Sequence, residues 1–366
     1  RQVGPAGAPC TSAAWSPDGS WMYFTSGASG AAHIWRQRLD GGAPEQITFG
    51  PTEQQGVEIA SDGRSLITSV GLTQSSVWVA DERGEREVSA EGFADLPVSM
   101  GAANSRHFSP DGKGLYFFVR QGSTRAFVGG EVWMADLEAG RSERLLPGFA
   151  VSSFDISPDG KRIVFCALDS QQKPNIWLAM TDRSAAPQRL PLVNADSPLF
   201  GPGGDIFFRA VEGSSNFVYR CRQDGSGQRK ALDFPVLFLN RFSPDGKWIV
   251  AVGGTETQAF PLDGGQPVSI CKFCPVGWSQ DGKTFYLELS TNTMGGNQRR
   301  VVVLPVPAGK VFPQLPSSGV ADLTAAAALP GVEFLDHASL AAGLTRSTYA
   351  FVRTSVHRNL YRIPLN

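Results

Sequence analysis

The chain has 366 residues, with 33 basic and 34 acidic side chains and a formal charge of −1. It has no basic block, which argues against a nucleic-acid partner, because phosphate binding needs clustered Lys and Arg. Hydrophobic residues make up 42% and charged residues 18%, with 41 Gly and 25 Pro; many short strands joined by tight turns produce that balance, and helices do not.

The chain starts at Arg1, and no apolar run is long enough to cross a bilayer. This predicts an excised segment, with any anchor or partner domain upstream. A turn tetrapeptide then organises everything that follows. Ser-Pro-Asp-Gly stands at 16–19, 109–112, 157–160 and 243–246, with worn forms at 60–63 (ASDG), 201–204 (GPGG) and 279–282 (SQDG). The intervals between starts are 44, 49, 48, 44, 42 and 36 residues, the period of a propeller blade or of a long helical repeat.

The content of each period decides for strands. A short apolar piece precedes each turn (SAAW, GVEI, SRHF, SFDI, PLF, LNRF, VGW) and a second follows it (SWMYFTS, RSLITSV, KGLYFFV, KRIVFCA, DIFFRA, KWIVAVG, KTFYLEL). A third comes some ten residues later (HIWRQRLD, VWVADE, VWMADLE, NIWLAMTD, FVYRCRQD, QAFPLD, VVVLPVP), and a weaker fourth closes the unit. Four strands rich in Val, Ile, Phe and Trp, punctuated by Gly, Pro and Asp, make one blade. The only helical candidate is one short stretch in ADLTAAAALPGVEF.

An eighth unit has lost its turn. Its ending, STYAFVRTSVHRNLYRIPL, aligns as second and third strands, DHASLAAGLTR supplies the first, and the N-terminal RQVG supplies the fourth. The fold class read here is therefore all-β, an eight-bladed β-propeller with N- and C-terminal strands closing the ring, seven blades being the alternative. It is read as a single domain over 1–366, with blades near 11–49, 54–90, 103–149, 151–191, 195–234, 237–272, 274–330, and 335–366 plus 1–5.

The repeated Asp serves a turn. Pro suits the second position of a type I turn, Asp the third, and Gly the left-handed fourth. A calcium loop would need further carboxylates at fixed spacing, which are absent.

The blade pattern S-P-D-G-x-x-apolar-x-F…apolar-W-x-x-x-L-x-G-G resembles the WD40-like repeat of TolB-type β-propellers over nearly the whole chain. Residues 61–92, 304–336 and the ending STYAFVRTSVHRNLYRIPL more narrowly resemble the C-terminal propeller of bacterial eukaryotic-like serine/threonine protein kinases. That resemblance implies a non-catalytic sensor or docking domain, held outside the cytoplasm by an upstream membrane segment; a cytoplasmic location is the alternative. The chain itself carries no kinase motif, and His357-Arg358-Asn359 lacks the Asp of H-R-D. A TolB-like periplasmic scaffold is the alternative function.

Two places are candidate sites for a small ligand, protein or peptide. The loop RQGSTRAFVGG offers Arg120, Arg125 and Phe127, which could clamp a carboxylate or a peptide, or could cover the blade and pair with local acids. The long connection 90–105 and the loop 290–300 accompany it. The second place is a column two residues before each turn: Ala14, Glu58, His107, Asp155, Leu199, Arg241 and Gly277. Its ionisable members Glu58, His107, Asp155 and Arg241 read as a polar channel for a ligand or ion, or as an inter-blade hydrogen-bond belt, the preferred reading. No cofactor is called for. Cys271 and Cys274 form a C-x-x-C read as a local disulfide or two free thiols ahead of a metal site. No G-x-S-x-G elbow exists, so an enzyme would have to be assembled in the channel.

Overall fold

The computed structural model describes residues 2–50, 52–89, 93–96, 107–120, 129–171, 173–293 and 296–365. Repeat one holds β1 (Cys10–Trp15), β2 (Trp21–Ser26), β3 (His33–Arg38) and β4 (Glu45–Gln46). Repeat two holds β5 (Glu53–Ile59), β6 (Ser65–Asp81) and β7 (Gly84–Glu87). Repeat three follows with β8 (Phe93–Asp95), β9 (Gly114–Arg120), β10 (Glu131–Asp136) and β11 (Arg141–Arg144). Repeat four is β12 (Val151–Ile156), β13 (Arg162–Leu168), β14 (Pro174–Met180) and β15 (Gln188–Arg189). Repeat five is β16 (Ala195–Phe200), β17 (Ile206–Glu212), β18 (Ser215–Cys221) and β19 (Arg229–Lys230). Repeat six is β20 (Phe238–Phe242), β21 (Trp248–Gly253), β22 (Glu256–Pro261) and β23 (Val268–Cys271). Repeat seven is β24 (Val276–Trp278), β25 (Thr284–Thr293), β26 (Gly296–Pro305), the helix α1 (Leu323–Ala327) and β27 (Glu333–Leu335). The chain ends with β28 (Ala338–Ala342) and β29 (Tyr349–Pro364). The all-β propeller class expected from the repeat is what the strands form.

The turns act as their chemistry demands. In the first, Ser16 Oγ donates to Asp18 Oδ1 at 2.5 Å while accepting from the Trp21 N–H at 2.9 Å. The same pair recurs at Ser109–Asp111, Ser157–Asp159, Ser243–Asp245 and Ser279–Asp281. The Asp carboxylate thus closes a small ring of local donors. The fourth-position glycines all have positive φ, from 66° at Gly63 to 82° at Gly204, which side-chain-bearing residues resist.

Contacts divide the chain into two compact units, where the sequence reading treats 1–366 as one domain. The first holds the residues up to Ser75, Arg120 and those from Thr354 on; the second runs from Ser76 to Val119 and on to Arg353. In the first unit, the sheet β1-β2-β3-β4 packs on β5 and the start of β6 around Ala14, Tyr23, Ile34, Val57 and Leu66. Ile363 and Leu365 complete that core from the far end of the chain.

The second unit is a closed circuit of blades. Repeats four, five, six and seven are separate four-stranded sheets, and β9, β10 and β11 form repeat three. Apolar clusters link three to four (Phe118, Phe154), four to five (Val164, Phe200), five to six (Phe207, Ile249) and six to seven (Val250, Trp278). The circuit closes through a composite blade, β28-β29-β6-β7, whose strands come from repeats eight and two. Leu340 packs on Tyr286 and Val301 of repeat seven, and Ala341, Ala350 and Val77 pack on Phe108 and Phe117 of repeat three. The turns show the same order. Gly160 lies against Pro110, Gly246 against Pro202 and Gly282 against Pro244, and Gly112 lies against Leu344 of the composite blade.

This corrects how repeats two and eight are built. RSLITSV and VWVADE were expected as two strands, as were STYAFVR and HRNLYRIPL. Each pair is one strand, β6 of 17 residues and β29 of 16, and the two lie side by side in the sheet. The linking residues GLTQSS and TSVH hold no Pro and no Asp-Gly or Asn-Gly pair, so nothing there reverses the chain. Gly71 instead permits close approach, because a Cβ there would collide with Arg358 and the His357 carbonyl. Residues 2–9 form no strand, and Gly4 N–H is held by Gln37 Oε1 at 2.8 Å. The closing strand therefore does not come from the N-terminus.

Candidate functional site

The inner strands of the second unit carry the polar column. Each described inner strand except β24 has a register shift near its middle, at Val151/Ser153, Asp196/Leu199, Leu239/Arg241 and Ala338/Ala341. Such bulges re-aim the side chains that follow them. Ser197 and Ser339 sit at these bulges with φ of 52° and 57°.

His107 is 2% exposed. Its Nδ1 lies 3.0 Å from the Tyr116 carbonyl, so Nδ1 carries the proton and Nε2 the lone pair. Burial pushes its pKa down to about 4, the Arg241 charge adding to the effect and the Tyr116 carbonyl opposing it. The ring is neutral at physiological pH and stands edge-on to Phe154 of the next blade, at 5.9 Å. Asp155, equally buried, accepts the Phe200 N–H of the following inner strand at 2.9 Å.

Arg241 completes the set from the other side of the circuit. Its Nη1 lies 2.9 Å from the place a Cβ on Gly277 would occupy, so the missing side chain of repeat seven makes room for the guanidinium. Beside it is a cavity of about 20 Å³ lined by Arg241, Gly277, Tyr286, Glu288 and Leu340, room for a single water. Glu288 is buried, paired with Arg299 at 3.0 Å, and accepts the Ser339 N–H at 3.2 Å. Burial raises its pKa against the pull of Arg299 and that N–H.

The structure thus places His107, Asp155 and Arg241 in one ring of inner strands. Two of them are bonded into the blades at the atoms described. Glu58 departs from the expected column: it lies in the first unit, solvent-exposed, opposite Ile67. Trp15, the residue just before the first turn, is 57% exposed. Arg120 ends β9 half-buried, while Arg125 and Phe127 lie outside the described residues. Cys271 and Cys274 are joined as a buried disulfide, at the end of β23 where Val320 N–H bonds the Ile270 carbonyl. Among the described residues, no group of three or more His, Cys, Asp and Glu could hold a metal ion. The pair of buried Glu288 with partly exposed Arg299 was not among the sequence candidates; the two stand on neighbouring strands of one long hairpin but diagonally, since Glu288 faces Val301 and Arg299 faces Ser290.

By its strands the chain is of the all-β propeller class. Residues 3–36 match the WD domain, G-beta repeat, the stretch from the N-terminus into β3. An uncharacterized protein of Agrobacterium fabrum is 33% identical over 108 residues, 27% of this chain and 36% of that protein; the chain thus matches little more than a third of that relative's length. Among solved structures, TolB from Acinetobacter baumannii is similar at 14% identity and a TM-score of 0.45, covering 81% of this chain and 76% of that one. Oligogalacturonate lyase from Vibrio parahaemolyticus is similar at 12% identity and a TM-score of 0.42, covering 83% and 93%. Among the described residues, no helix is long and apolar enough to cross a membrane.

Proposed function

We propose that this chain is a non-catalytic, protein-binding propeller. The observation that carries the reading is the apolar surface of the first unit. Trp15 (57% exposed), Phe49 (71%), Val356 (53%) and Leu360 (77%) stand out to solvent on that small body, with Ile67, Leu72 and Tyr361. Side chains of this size gathered on one small body favour contact with another protein, since solvent exposure of such area is unfavourable by about 25 cal/mol per Å². The bonded state of His107 and Asp155 supports a structural part for the inner strands.

The finer reading is a sensor or docking domain of a bacterial receptor-like serine/threonine kinase, with a TolB-like periplasmic scaffold as the second form. Both place the propeller outside the cytoplasm, and the Cys271–Cys274 disulfide supports that placement.

A photo-crosslinking amino acid at position 360 of the full-length protein, in its own cells, tests the binding role. The expected outcome is a discrete protein adduct at 360 and none at 193, where Val193 of the second unit is 79% exposed. Equal or absent adducts at both positions overturn the reading.

A further inference from the structure

In the first unit, the sheet of β5, β6 and β29 is one strand short of a blade. β5 pairs with one side of β6 and the end of β29 with the other. Among the described residues no strand lies beyond 354–364, whereas the sheet β1-β2-β3-β4 has its fourth. We propose that this open edge takes up one extended strand of another protein, with apolar and acidic residues in alternation. The proposal rests on the protein-binding reading of the first unit and names how the partner is held there.

The register tells which backbone groups are left over. Leu365 N–H donates to the Arg64 carbonyl at 2.8 Å, Arg358 lies over Gly71, and Thr354 Oγ1 is 3.0 Å from Ser75 Oγ. These pairs hold one antiparallel register without a bulge. Alternation along the strand then turns the N–H and C=O groups of the odd-numbered residues, as at Leu365, toward β6. Those of Val356, Arg358, Leu360 and Arg362 point away from β6, where no described strand receives them. A second backbone at strand spacing is what satisfies groups so placed.

The edge carries little protection of its own. Sheets guard such edges with Lys, Pro, inward charges, bulges or very short strands. Residues 354–363 contain no Pro, Lys, Asp or Glu, and Val356 and Leu360 are 53% and 77% exposed.

The side chains describe the occupant. Those of Val356, Arg358, Leu360 and Arg362 share one face. Arg358 reaches past Gly71 to Glu53 of β5, at 3.0 Å, and is taken up there. Arg362 gives Nε to Ser65 and Nη2 to Asp62, yet its side chain stays 61% exposed, with Nη1 left for a further acceptor. A strand laid along this edge therefore meets two apolar side chains and then a guanidinium. Apolar residues beside Val356 and Leu360 and a carboxylate beside Arg362 fit that order. A second copy fits poorly, since its own 354–364 brings the same two arginines and no acid.

The test uses the full chain and a labelled synthetic peptide of about ten residues alternating Val and Glu, the length of one strand. Fluorescence anisotropy should show saturable binding, and bound peptide should slow hydrogen exchange at 356–362. A peptide alternating Val and Lys should bind about tenfold more weakly. Val356→Pro, which removes an outward N–H at an edge where Pro is tolerated, should weaken binding about tenfold. Val356→Ala keeps that N–H and should stay within about twofold. Melting curves of both variants report whether the fold survives, and if Val356→Pro does not fold, the two peptides and the exchange pattern on the wild type decide. Absence of saturable binding, protection away from 356–362, equal binding of the Lys peptide, or full binding by a folded Val356→Pro overturns the proposal. So does a wild-type dimer that Val356→Pro dissociates, which would assign the edge to a second copy. A cellular adduct at 360 that survives Val356→Pro would overturn strand addition alone and leave protein binding standing.

Discussion

The carboxylate of Asp155 accepts a 2.9 Å hydrogen bond from the backbone N–H of Phe200, 45 residues later and one blade on. Two inner strands are thereby joined by a side chain where the sheets themselves share no ladder. The residue that looks most like a channel ligand in the sequence is, at this oxygen, a tie between blades.

Asp155→Ala should therefore destabilise the second unit by about 1–3 kcal/mol, the cost of leaving a buried N–H unsatisfied. Scanning calorimetry should show a melting temperature lower by several degrees. An unchanged melting temperature would show that the tie is dispensable.

His107 makes stability depend on pH. Its folded pKa lies near 4, below the ordinary 6.5, so the unfolded chain takes up the proton first as pH falls. Its contribution is complete above pH 6.5 and is lost as pH drops toward 4, about 3 kcal/mol in all. Urea unfolding at pH 7.5 and 4.5 should show this loss in the wild type and a smaller one in His107→Gln. Equal losses in both proteins would assign the acid lability to other groups.

The composite blade predicts coupling between distant segments. Phe351 is fully buried and stacked on His337, with ring centroids 4.0 Å apart. Arg353 lies 3.9 Å over the Trp78 ring and pairs with Glu85. Phe351→Ala should cost about 3–5 kcal/mol. Hydrogen exchange should then speed up at 77–80 and 84–87, more than 260 residues earlier in the chain. Were β29 folded as its own hairpin, those amides would stay protected.

The thiol count follows from the disulfide. Denatured without reductant, the chain should titrate three thiols, those of Cys10, Cys166 and Cys221, and after reduction five. Five thiols before reduction would place the pair in its reduced form.

Much of this molecule was legible in its sequence. Turns, strand order within a blade and the four-stranded unit are local matters, decided by Pro, Asp and Gly at fixed offsets and by strands whose apolar side chains must be covered. Those features come through in repeats four to six with nothing added. The polar column was legible as residues, though whether His107 and Asp155 face a ligand or a neighbouring blade was not, since a partner 45 residues away leaves no mark on the local pattern.

Only the tertiary structure decided what becomes of segments with strand character and no turn. Residues 65–81 and 349–364 each spell two strands, but nothing in GLTQSS or TSVH reverses the chain, so both stay extended and pair with each other. That exchange builds the closing blade of the second unit. The physical reason is general: a local code specifies turns where they exist, and where one is missing the fate of the strand depends on which distant edge remains unpaired.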